Sequence, residues 1–355
     1  MSVDVSNIKI STVSQSRIDS VDFDQIPFGK VFTDHLFKAN FRNGCWENME
    51  ICPVSDFLLH PSNQALHYGQ SIFEGMKGAT DAKGVPLLFR PVDHAHRLNR
   101  SARRMCMPEF PEELFVEVLK ELVNLDRKWI PDRPGSALYI RPLMFATDEF
   151  LRVSPSETFI FTIMLLPVGP YYGQPVKLWA DTEFTRAVIG GTGEAKTAGN
   201  YAASLLPSRL ANEKGYDQVL WLDGREHKYV QEVGTMNIFF VFDDHIATPE
   251  LDGAILSGIT RDSFLTILNE KDYKVRERLI TIDEVMEKGK NGQLKEVFGS
   301  GTAAVANIVK EIKYRDATVK FDPEKAVIAP MLKEIIEDIR HGRQEDKFDW
   351  VVRVE

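Results

Sequence analysis

A proline- and glycine-rich break near the middle of the chain places the strongest constraint on its fold. Residues 167–173 read Pro-Val-Gly-Pro-Tyr-Tyr-Gly, a combination that interrupts helices and strands. The chain has 355 residues, which leaves enough sequence on each side of the break for a compact domain. We therefore predict a domain boundary there. The Ser-rich residues 1–20 show no periodicity and are expected to form a loose arm, and the charged tail after Arg340 is expected to be solvated.

Helix and strand patterns occur on both sides of the break. In the first half, apolar spacing predicts helices at residues 92–106 and 111–129 and strands at 137–145 and 158–166. In the second half it predicts strands at 177–180, 218–222, 237–242 and 296–298, and helices at 198–214, 260–269, 282–290 and 330–340. Pro207 is awkward inside the predicted helix 198–214. Because the elements do not alternate as regular strand–helix–strand units, the pattern favours an α+β (mixed α/β) fold over a doubly wound one.

Composition limits the class of function. The chain is 43% apolar and carries a formal net charge of −9, whereas a nucleic-acid-binding protein needs a basic surface. Cys45, Cys52 and Cys106 form no CxxC pair and indicate a reducing compartment, although a bridge between the first two remains open. The sequence shows no signal peptide, no membrane-spanning run and no metal-ligand pattern. We expect a cytoplasmic protein with no membrane, nucleic-acid or metal partner.

Residues 190–201, Gly-Gly-Thr-Gly-Glu-Ala-Lys-Thr-Ala-Gly-Asn-Tyr, contain the most informative motif. Lys196 is the only amine in this segment, and its small neighbours allow a bulky ligand to approach the backbone closely. A lysine in such a setting is either a cation that binds phosphate or a nucleophile that attacks carbonyl groups. Both interpretations have to be weighed against the rest of the sequence.

The first interpretation is a nucleotide-binding P-loop. Residues 190–197 read G-x-x-x-x-A-K-T, one residue away from the G-x-x-x-x-G-K-[ST] pattern. Ala195 replaces the glycine that lets such a loop wrap around phosphates, and the apolar run that enters the loop, residues 187–189, is short for a core strand. The sequence therefore disfavours this interpretation.

The second interpretation is a Schiff-base lysine for pyridoxal phosphate. This cofactor needs a carboxylate at its pyridine nitrogen, for which Glu232 is the candidate, and a partner for its ring oxygen, for which Tyr201 is the candidate. Its phosphate needs a helix start, which the segment around Thr260 offers, and a cation such as Arg97 or Arg100. A turn of small residues at 299–304 would suit a second anion.

Each of these candidates also has a purely structural interpretation. Glu232 alone is more often a surface acid on a strand, and Thr260 alone is more often a helix N-cap. Arg97 lies in an arginine-rich helix and would usually face solvent. Because all of these candidates occur in one chain with a suitable lysine, the sequence as a whole favours the cofactor site over the structural interpretations.

Six segments in family order carry a resemblance to branched-chain-amino-acid aminotransferases of the class IV pyridoxal-phosphate enzymes, which extends from about residue 28 to residue 310. The segments are residues 28–35 (FGKVFTDH), 66–77 (LHYGQSIFEGMK), 139–142 (YIRP), 190–201 (GGTGEAKTAGNY), 231–237 (QEVGTMN) and 296–303 (EVFGSGTA). The resemblance implies the two-domain class IV fold, similar to that of D-amino-acid aminotransferase. It places a smaller N-terminal α/β domain at residues 1–166, an interdomain loop at 167–175 and a larger cofactor-binding domain at 176–355. Members bind pyridoxal 5′-phosphate and form homodimers or larger homo-oligomers.

The resemblance also implies a role for individual residues. Lys196 forms the Schiff base and moves the proton between the substrate Cα and the cofactor, Glu232 faces the pyridine nitrogen, and Tyr201 contacts the ring oxygen. The phosphate site comprises Arg97, Ile259 (through its backbone amide), Thr260 and Thr302. The substrate-carboxylate side comprises Tyr68, Arg141 and the amides of Thr302 and Ala303. The side-chain pocket comprises Phe28, Phe73, Tyr139, Thr235 and Val153, the last of these contributed by the partner subunit.

The reaction implied is reversible amino transfer between L-leucine, L-isoleucine or L-valine and 2-oxoglutarate. A D-amino-acid aminotransferase and an aminodeoxychorismate lyase, which share the fold but resemble shorter chains, are the nearest alternatives. After Thr302 this chain lacks the CxxC of animal members, so redox regulation through that pair is not expected.

Overall fold

The computed structural model describes residues 8–133, 135–169 and 174–355. The described residues form two compact units. The first contains those up to 169 together with Ala195–Ala198 and Glu337–Glu355, and the second contains those of 174–194 together with Gly199–Ile336. Two segments of the predicted C-terminal domain thus pack within the first unit. Part of the predicted interdomain loop lies outside the described residues.

Strands are the more numerous elements in both units. In chain order the described strands are β1 (Lys9–Ile10), β2 (His35–Arg42), β3 (Cys45–Pro53), β4 (Ser71–Phe73), β5 (Met76–Thr80), β6 (Pro86–Phe89), β7 (Ala137–Ala146), β8 (Phe159–Val168), β9 (Val176–Ala180), β10 (Gln218–Leu222), β11 (Val230–Val233), β12 (Asn237–Phe242), β13 (Ile246–Thr248), β14 (Val275–Glu277), β15 (Leu294–Gly301), β16 (Val305–Tyr314), β17 (Ala317–Lys320) and β18 (Val351–Arg353).

Helices are fewer and mostly short. In chain order the described α-helices are α1 (Gln64–Tyr68), α2 (Pro91–Arg104), α3 (Glu112–Leu125), α4 (Ala198–Ala203), α5 (Leu205–Glu213), α6 (Ile259–Glu270), α7 (Ile282–Lys290) and α8 (Ile328–Arg340). Within the described residues, none of these helices is both long and apolar enough to cross a membrane.

The first unit is built on one sheet with the strand order β1-β3-β2-β8-β7-β5-β6-β18, and β4 pairs with β7 beside this path. Its pairs are antiparallel except for β1 and β3. Apolar residues of α2 and α3, such as Leu98 and Phe115, share a buried core with sheet residues such as Phe37 and Ile140. Burial of this helix face, rather than helix propensity alone, holds α2 in place.

The second unit is built on a sheet with the order β11-β10-β9-β16-β15-β12-β13-β14, with β17 beside β16. This sheet mixes antiparallel pairs with parallel ones, which join β9 to β10, β9 to β16 and β13 to β14. Its core includes Phe240 of β12, Val285 of α7 and Ile312 of β16. Mixed sheets with helices in both units confirm the predicted α+β class.

The proline in the predicted helix 198–214 has a structural explanation. The segment forms two helices, α4 and α5, which are separated at Ser204. Pro207 is the third residue of α5, so it lies in the first turn, where a backbone N–H has no partner within the helix. The single predicted helix was therefore wrong, and the proline is tolerated because the chain begins a new helix before it.

The prediction of a loose N-terminal arm is wrong where the structure describes that arm, residues 8–20. The buried carboxylate of Asp34 accepts hydrogen bonds from the backbone N–H of Arg17 (3.0 Å) and from the indole N–H of Trp129 (2.9 Å). Lys9 and the next residue pair with β3 in the sheet. The arm is ordered because a buried acid and a sheet edge both need its polar groups.

Only the end of the C-terminal tail is docked, from Trp350 onward, whereas residues 342–345 are exposed as predicted. Its strand β18 pairs with β6 at the edge of the first sheet. The carbonyl of Trp350 accepts a hydrogen bond from the N–H of Arg90 (2.6 Å). The indole ring of Trp350 contacts the Phe89 ring edge-on. Apolar residues in this charged tail, which the sequence prediction overlooked, explain the difference.

Candidate active site

The backbone of Lys196 is fixed from two sides within the first unit. Its N–H donates to the hydroxyl oxygen of Ser101 on α2 (2.9 Å), and its carbonyl accepts from the N–H of Phe73 on β4 (3.0 Å). The next hydroxyl, Thr197 Oγ1, donates to the carbonyl of Ser71 (2.7 Å). The Lys196 ammonium nitrogen lies 4.8 Å from the centre of the Phe73 ring. These bonds fix the backbone of the lysine segment within the first unit.

A buried ion-pair network lies on α2 next to this lysine segment. His94, Arg97 and Ser101 are three and four residues apart, so they share one face of the helix. Arg97 donates from Nε and Nη2 to the two carboxylate oxygens of Glu74 (2.7 and 2.8 Å), and His94 Nδ1 lies 2.7 Å from Oε2. Arg97 is therefore buried and not a solvated arginine. Its assignment to the cofactor phosphate stays a prediction, since the contacts described here are with Glu74.

Electrostatics fixes the protonation of this network. Burial would raise the pKa of Glu74, but the charge and hydrogen bonds of Arg97 and the hydrogen bond of His94 outweigh it and hold the pKa well below its usual range. Burial lowers the pKa of His94, and the nearby charges of Arg97 and Lys196 act in the same direction. At neutral pH the carboxylate is therefore ionised, and a neutral imidazole donates its Nδ1–H to it.

These two pKa values predict how acid affects stability. Both pKa values are lower in the folded protein than in the unfolded chain, so the unfolded chain binds more protons in acid. The free energy of unfolding therefore decreases as the pH falls. The contribution of His94 is lost progressively below about pH 6.5 and that of Glu74 below about pH 4.3, the ordinary pKa values of the two side chains. We expect the unfolding temperature of the wild type to fall between pH 7.5 and 5, and His94→Asn to flatten this dependence.

The matched control is His96→Asn on the same helix, because the His96 side chain is 58% exposed. Calorimetric scans of the three proteins at pH 7.5, 6 and 5 provide the comparison. Equal slopes for the two variants would contradict the assignment of the effect to His94.

An aromatic group, here called the Tyr139 cluster, comprises Phe28, Phe73, Tyr139 and Arg141. Arg141 Nη2 donates to the Tyr139 hydroxyl (2.9 Å), and its guanidinium lies 4.8 Å from the Phe73 ring centre and 5.2 Å from that of Tyr139. The Phe28 ring meets the Tyr139 ring edge-on at 5.5 Å. Gly75 is required beside the cluster, because a Cβ there would lie 2.1 Å from the Tyr139 hydroxyl oxygen. Among the described residues, the buried Arg141 Nε has no hydrogen-bond partner.

Tyr68, predicted for the substrate-carboxylate side, and Val153, predicted for the side-chain pocket, lie at the surface of the same unit rather than in the Tyr139 cluster. Tyr68 ends α1 and is 42% exposed, and Val153 is 84% exposed. The exposure of Val153 is compatible with the expectation that it serves the partner subunit's pocket. Its role stays a prediction.

Glu232 is buried in the second unit, on β11, with 3% of its surface exposed. Its Oε1 accepts from the N–H of Leu256 (2.8 Å), and its Oε2 lies 3.3 Å from Arg186 Nε. The alternative of a surface strand acid is thereby excluded. A buried carboxylate with a cation beside it matches the chemistry expected opposite a pyridinium nitrogen.

The predicted phosphate residues Ile259 and Thr260 are the first two residues of α6. The N-cap position is Gly258, so the N-cap interpretation of Thr260 is wrong. A Cβ on this glycine would lie 2.0 Å from Asn237 Oδ1, while Asn237 Nδ2 donates to the carbonyl of Leu256 (2.8 Å). The helix therefore begins without a capping side chain at its N-cap, an arrangement suited to an anion.

The remaining predicted residues of the second unit lie in α4 and in two turns. Tyr201 is on α4, Thr235 is in the turn between β11 and β12, and Thr302 and Ala303 form the turn between β15 and β16. Two buried polar atoms on the strands beside this second turn, Ser300 Oγ and Asn307 Oδ1, lack hydrogen-bond partners among the described residues. Orphaned polar atoms of this kind are expected where a polar ligand binds.

Sequence reasoning missed five residues that position these groups: Glu74, His94, Ser101, Arg186 and Asn237. Glu74 and Asn237 stood within recognised segments, but no pattern gave them a role. The helical spacing of His94, Arg97 and Ser101 was the one available signal, because it places them on one face. Arg186 gave no signal at all.

Comparison with known proteins identifies the family. Residues 71–312 match the family described as amino-transferase class IV, more than half of the chain. The chain belongs to the class IV aminotransferases. This membership excludes the P-loop alternative, and no strand directly precedes the lysine segment in the described structure, where β9 ends at Ala180.

Relatives of this class IV aminotransferase are similar over nearly their whole length. Branched-chain-amino-acid aminotransferase 2 of Bacillus subtilis (strain 168) is 46% identical over 338 residues, which cover 94% of this chain and 93% of the relative. The structure of the Escherichia coli branched-chain amino acid aminotransferase has 26% identity and a TM-score of 0.71, covering 91% and 99% of the two chains. A T.th. branched-chain amino acid aminotransferase, complexed with N-(5′-phosphopyridoxyl)-L-glutamate, has 29% identity and a TM-score of 0.70, covering 89% and 98%.

The cofactor of this class IV aminotransferase is pyridoxal 5′-phosphate, and the residues fit it. The second unit offers a buried carboxylate, a helix start whose N-cap is a glycine, and two orphaned buried polar atoms. The first unit offers a lysine whose backbone is fixed. Each of these groups is of a kind that a phosphorylated, cationic aromatic aldehyde requires.

Proposed function

We infer that this chain is a pyridoxal-phosphate-dependent branched-chain-amino-acid transaminase. It moves an amino group reversibly between L-leucine, L-isoleucine or L-valine and 2-oxoglutarate. The names of its relatives, branched-chain-amino-acid aminotransferases and transaminases, support the branched-chain substrate. The Tyr139 cluster carries the inference from the structure, since it combines aromatic surface with a guanidinium whose Nε is buried without a partner among the described residues. Such a cluster suits both an aliphatic side chain and a carboxylate.

Pyridoxal phosphate, when bound, supplies an electron sink for the charge that develops as the substrate Cα loses its proton. Lys196 is proposed to take that proton and to return it on the other side of the transferred nitrogen, a general acid–base role that needs the neutral amine. Glu232 is proposed to hold the proton on the pyridine nitrogen. Tyr201 is proposed to contact the ring oxygen.

The remaining residues are proposed to bind the cofactor phosphate, the substrate carboxylates or the substrate side chain. The start of α6, with Ile259 and Thr260, is proposed to bind the phosphate together with Arg97 and Thr302. Tyr68, Arg141 and the amides of Thr302 and Ala303 are proposed for the substrate carboxylates. Phe28, Phe73, Tyr139, Thr235 and the partner subunit's Val153 are proposed for the side-chain pocket. Helix starts and small-residue turns present N–H groups to anions, which supports the first two assignments.

Arg141 is the residue that should distinguish the two substrates. A carboxylate that arrives with glutamate supplies a charge-assisted partner for its guanidinium, whereas leucine brings only methyl groups. Arg141→Met should slow the half-reaction with glutamate by about ten- to a hundredfold more than the half-reaction with leucine. Single-turnover rates, followed through the cofactor absorbance, separate the two half-reactions.

Arg103→Met is the matched control, because the Arg103 side chain is 58% exposed in the same unit. It should leave both half-reactions unchanged. Equal losses in the two half-reactions of Arg141→Met would assign this residue to the shared α-carboxylate or to structure.

The function itself is tested with purified protein and added pyridoxal phosphate. Amino transfer from L-leucine, L-isoleucine and L-valine to 2-oxoglutarate is expected, without comparable activity on D-alanine. Release of 4-aminobenzoate from aminodeoxychorismate is expected to be absent. Preference for either of the latter substrates would replace the proposed function with that alternative of the same fold.

We further propose a homodimer or larger homo-oligomer in the cytoplasm. The first unit exposes apolar side chains, among them Leu66 (63%), Leu151 (65%) and Val153 (84%), and this apolar surface supports an interface with a partner subunit. The three cysteines are free, in keeping with a reducing compartment. Light scattering should give at least twice the 40.3 kDa of one chain, and a fully active monomer would contradict the proposal.

A further inference from the structure

Arg186 is a buried cation that the sequence did not single out. Its side chain is 8% exposed, and its Nη2 donates to the carbonyl of Ala254 and, at 3.4 Å, to the carbonyl of Gly193. Its Nε lies 3.3 Å from Glu232 Oε2, but without the geometry of a hydrogen bond. One guanidinium therefore meets two carbonyl dipoles and one carboxylate.

Close backbone packing explains why these groups converge. A Cβ on Gly193 would lie 2.1 Å from the Ala254 carbonyl oxygen, so the glycine-rich segment passes directly against Ala254. The carbonyl oxygens of Ala254 and Gly193 both accept from one donor, which holds the two segments together. Arg186 provides that donor and points its remaining edge toward the carboxylate of Glu232.

Arg186 also places a positive charge beside the carboxylate of Glu232. Glu232 is almost fully buried, and a buried carboxylate is costly unless a cation or several donors accompany it. Arg186 is a cation paired with one oxygen of this carboxylate, and the Leu256 N–H donates to its other oxygen. The two contacts fix the orientation of the carboxylate.

We propose that Arg186 is a positioning residue for the carboxylate that faces the pyridine nitrogen. It compensates the charge of Glu232, fixes its orientation, and ties it to the glycine-rich segment that precedes Lys196 in sequence. The inference rests on the proposed role of Glu232. Arg186 itself touches neither the substrate nor the cofactor in this proposal and acts through the carboxylate.

Two substitutions distinguish the effect of the Arg186 charge from the effect of its planar set of N–H donors. Arg186→Lys keeps the charge but cannot reach two carbonyls and a carboxylate with one rigid group. Arg186→Gln keeps an amide donor and removes the charge. The matched control is Arg209→Gln, since the Arg209 side chain is 70% exposed on α5 of the same unit.

The measurements use the holoenzyme. Release of pyridoxal phosphate after dilution is followed by loss of the cofactor absorbance, and the half-reaction with leucine is followed by single turnover. Arg186→Gln should accelerate release and slow the half-reaction by about ten- to a hundredfold each, the range of a lost charge-assisted contact. Arg186→Lys should recover part of both losses, and Arg209→Gln should match the wild type.

A double-mutant cycle with Glu232→Gln decides whether Arg186 acts through the carboxylate. If it does, Arg186→Gln should change both measurements by less than about threefold in the Glu232→Gln background, because coupled residues are not additive. The same fold-change in both backgrounds would overturn the inference while leaving the role of Glu232 intact. A Glu232→Gln enzyme with wild-type rates would overturn the role of Glu232 and the inference with it. Neither result would affect transamination by the wild type, which is measured first.

Discussion

Replacing Lys196 with alanine should abolish transamination and leave the fold intact. The bonds that hold this segment to Ser101 and Phe73 come from the lysine backbone, so truncation of the side chain leaves them in place. Loss of a positioned acid–base group alone costs about 10²–10⁴-fold in rate, and loss of the covalent amine adds to this. Rates with leucine and 2-oxoglutarate, together with the unfolding temperature, provide the measurement.

Lys83→Ala is the control, because Lys83 is exposed in the same unit. It should retain full activity. Borohydride reduction of the wild type should attach the cofactor covalently to the peptide that contains Lys196. Labelling of another lysine, or turnover by Lys196→Ala, would refute the assignment.

Replacing Glu74 with glutamine should cause the largest loss of stability among single substitutions in this network. The carboxylate accepts two hydrogen bonds from Arg97 and one from His94 in a fully buried position. A glutamine leaves the guanidinium without this counter-charge, and breaking a buried pair in this way costs about 3–5 kcal/mol. Denaturant unfolding of wild type and variant measures the difference.

Glu112→Gln serves as the control, since its partner His96 is 58% exposed and such a surface pair contributes at most about 1 kcal/mol. Removing both charges, in Glu74→Gln with Arg97→Met, should restore a large part of the lost stability. A cost below about 1 kcal/mol for Glu74→Gln would mean that water or rearrangement compensates the arginine.

Local patterns were sufficient for helices α2, α3, α6, α7 and α8 and for strands β7–β10, β12 and β15, but they did not predict the other described strands. The strand predicted at residues 137–145 is β7, Ala137–Ala146, because its apolar residues leave it no solvated face. The prediction of one helix at 198–214 was wrong because apolar spacing does not reveal the interruption at Ser204. Pro207 was the signal of this interruption, because a proline is tolerated in the first turn of a helix but not in its interior.

Partners distant in sequence could not be predicted. Arg97 and Glu74 are separated by 23 residues, and whether an arginine on a helix faces solvent or a buried acid depends on packing alone. The same holds for the N-terminal arm, which is polar enough to look disordered but binds to the buried Asp34. The family resemblance named the cofactor residues, while the residues that position them came only from the structure.

The composition of the first unit has a consequence for how the protein folds during synthesis. Domains usually form in order from the N-terminus as the ribosome releases them. Here the first unit needs Ala195–Ala198, which carry the lysine, and Glu337–Glu355, which include the edge strand β18. Translation therefore delivers the whole of the second unit before the first can be completed. A nascent chain paused near Ile336 would hold a full set of residues for the second unit beside an unfinished sheet.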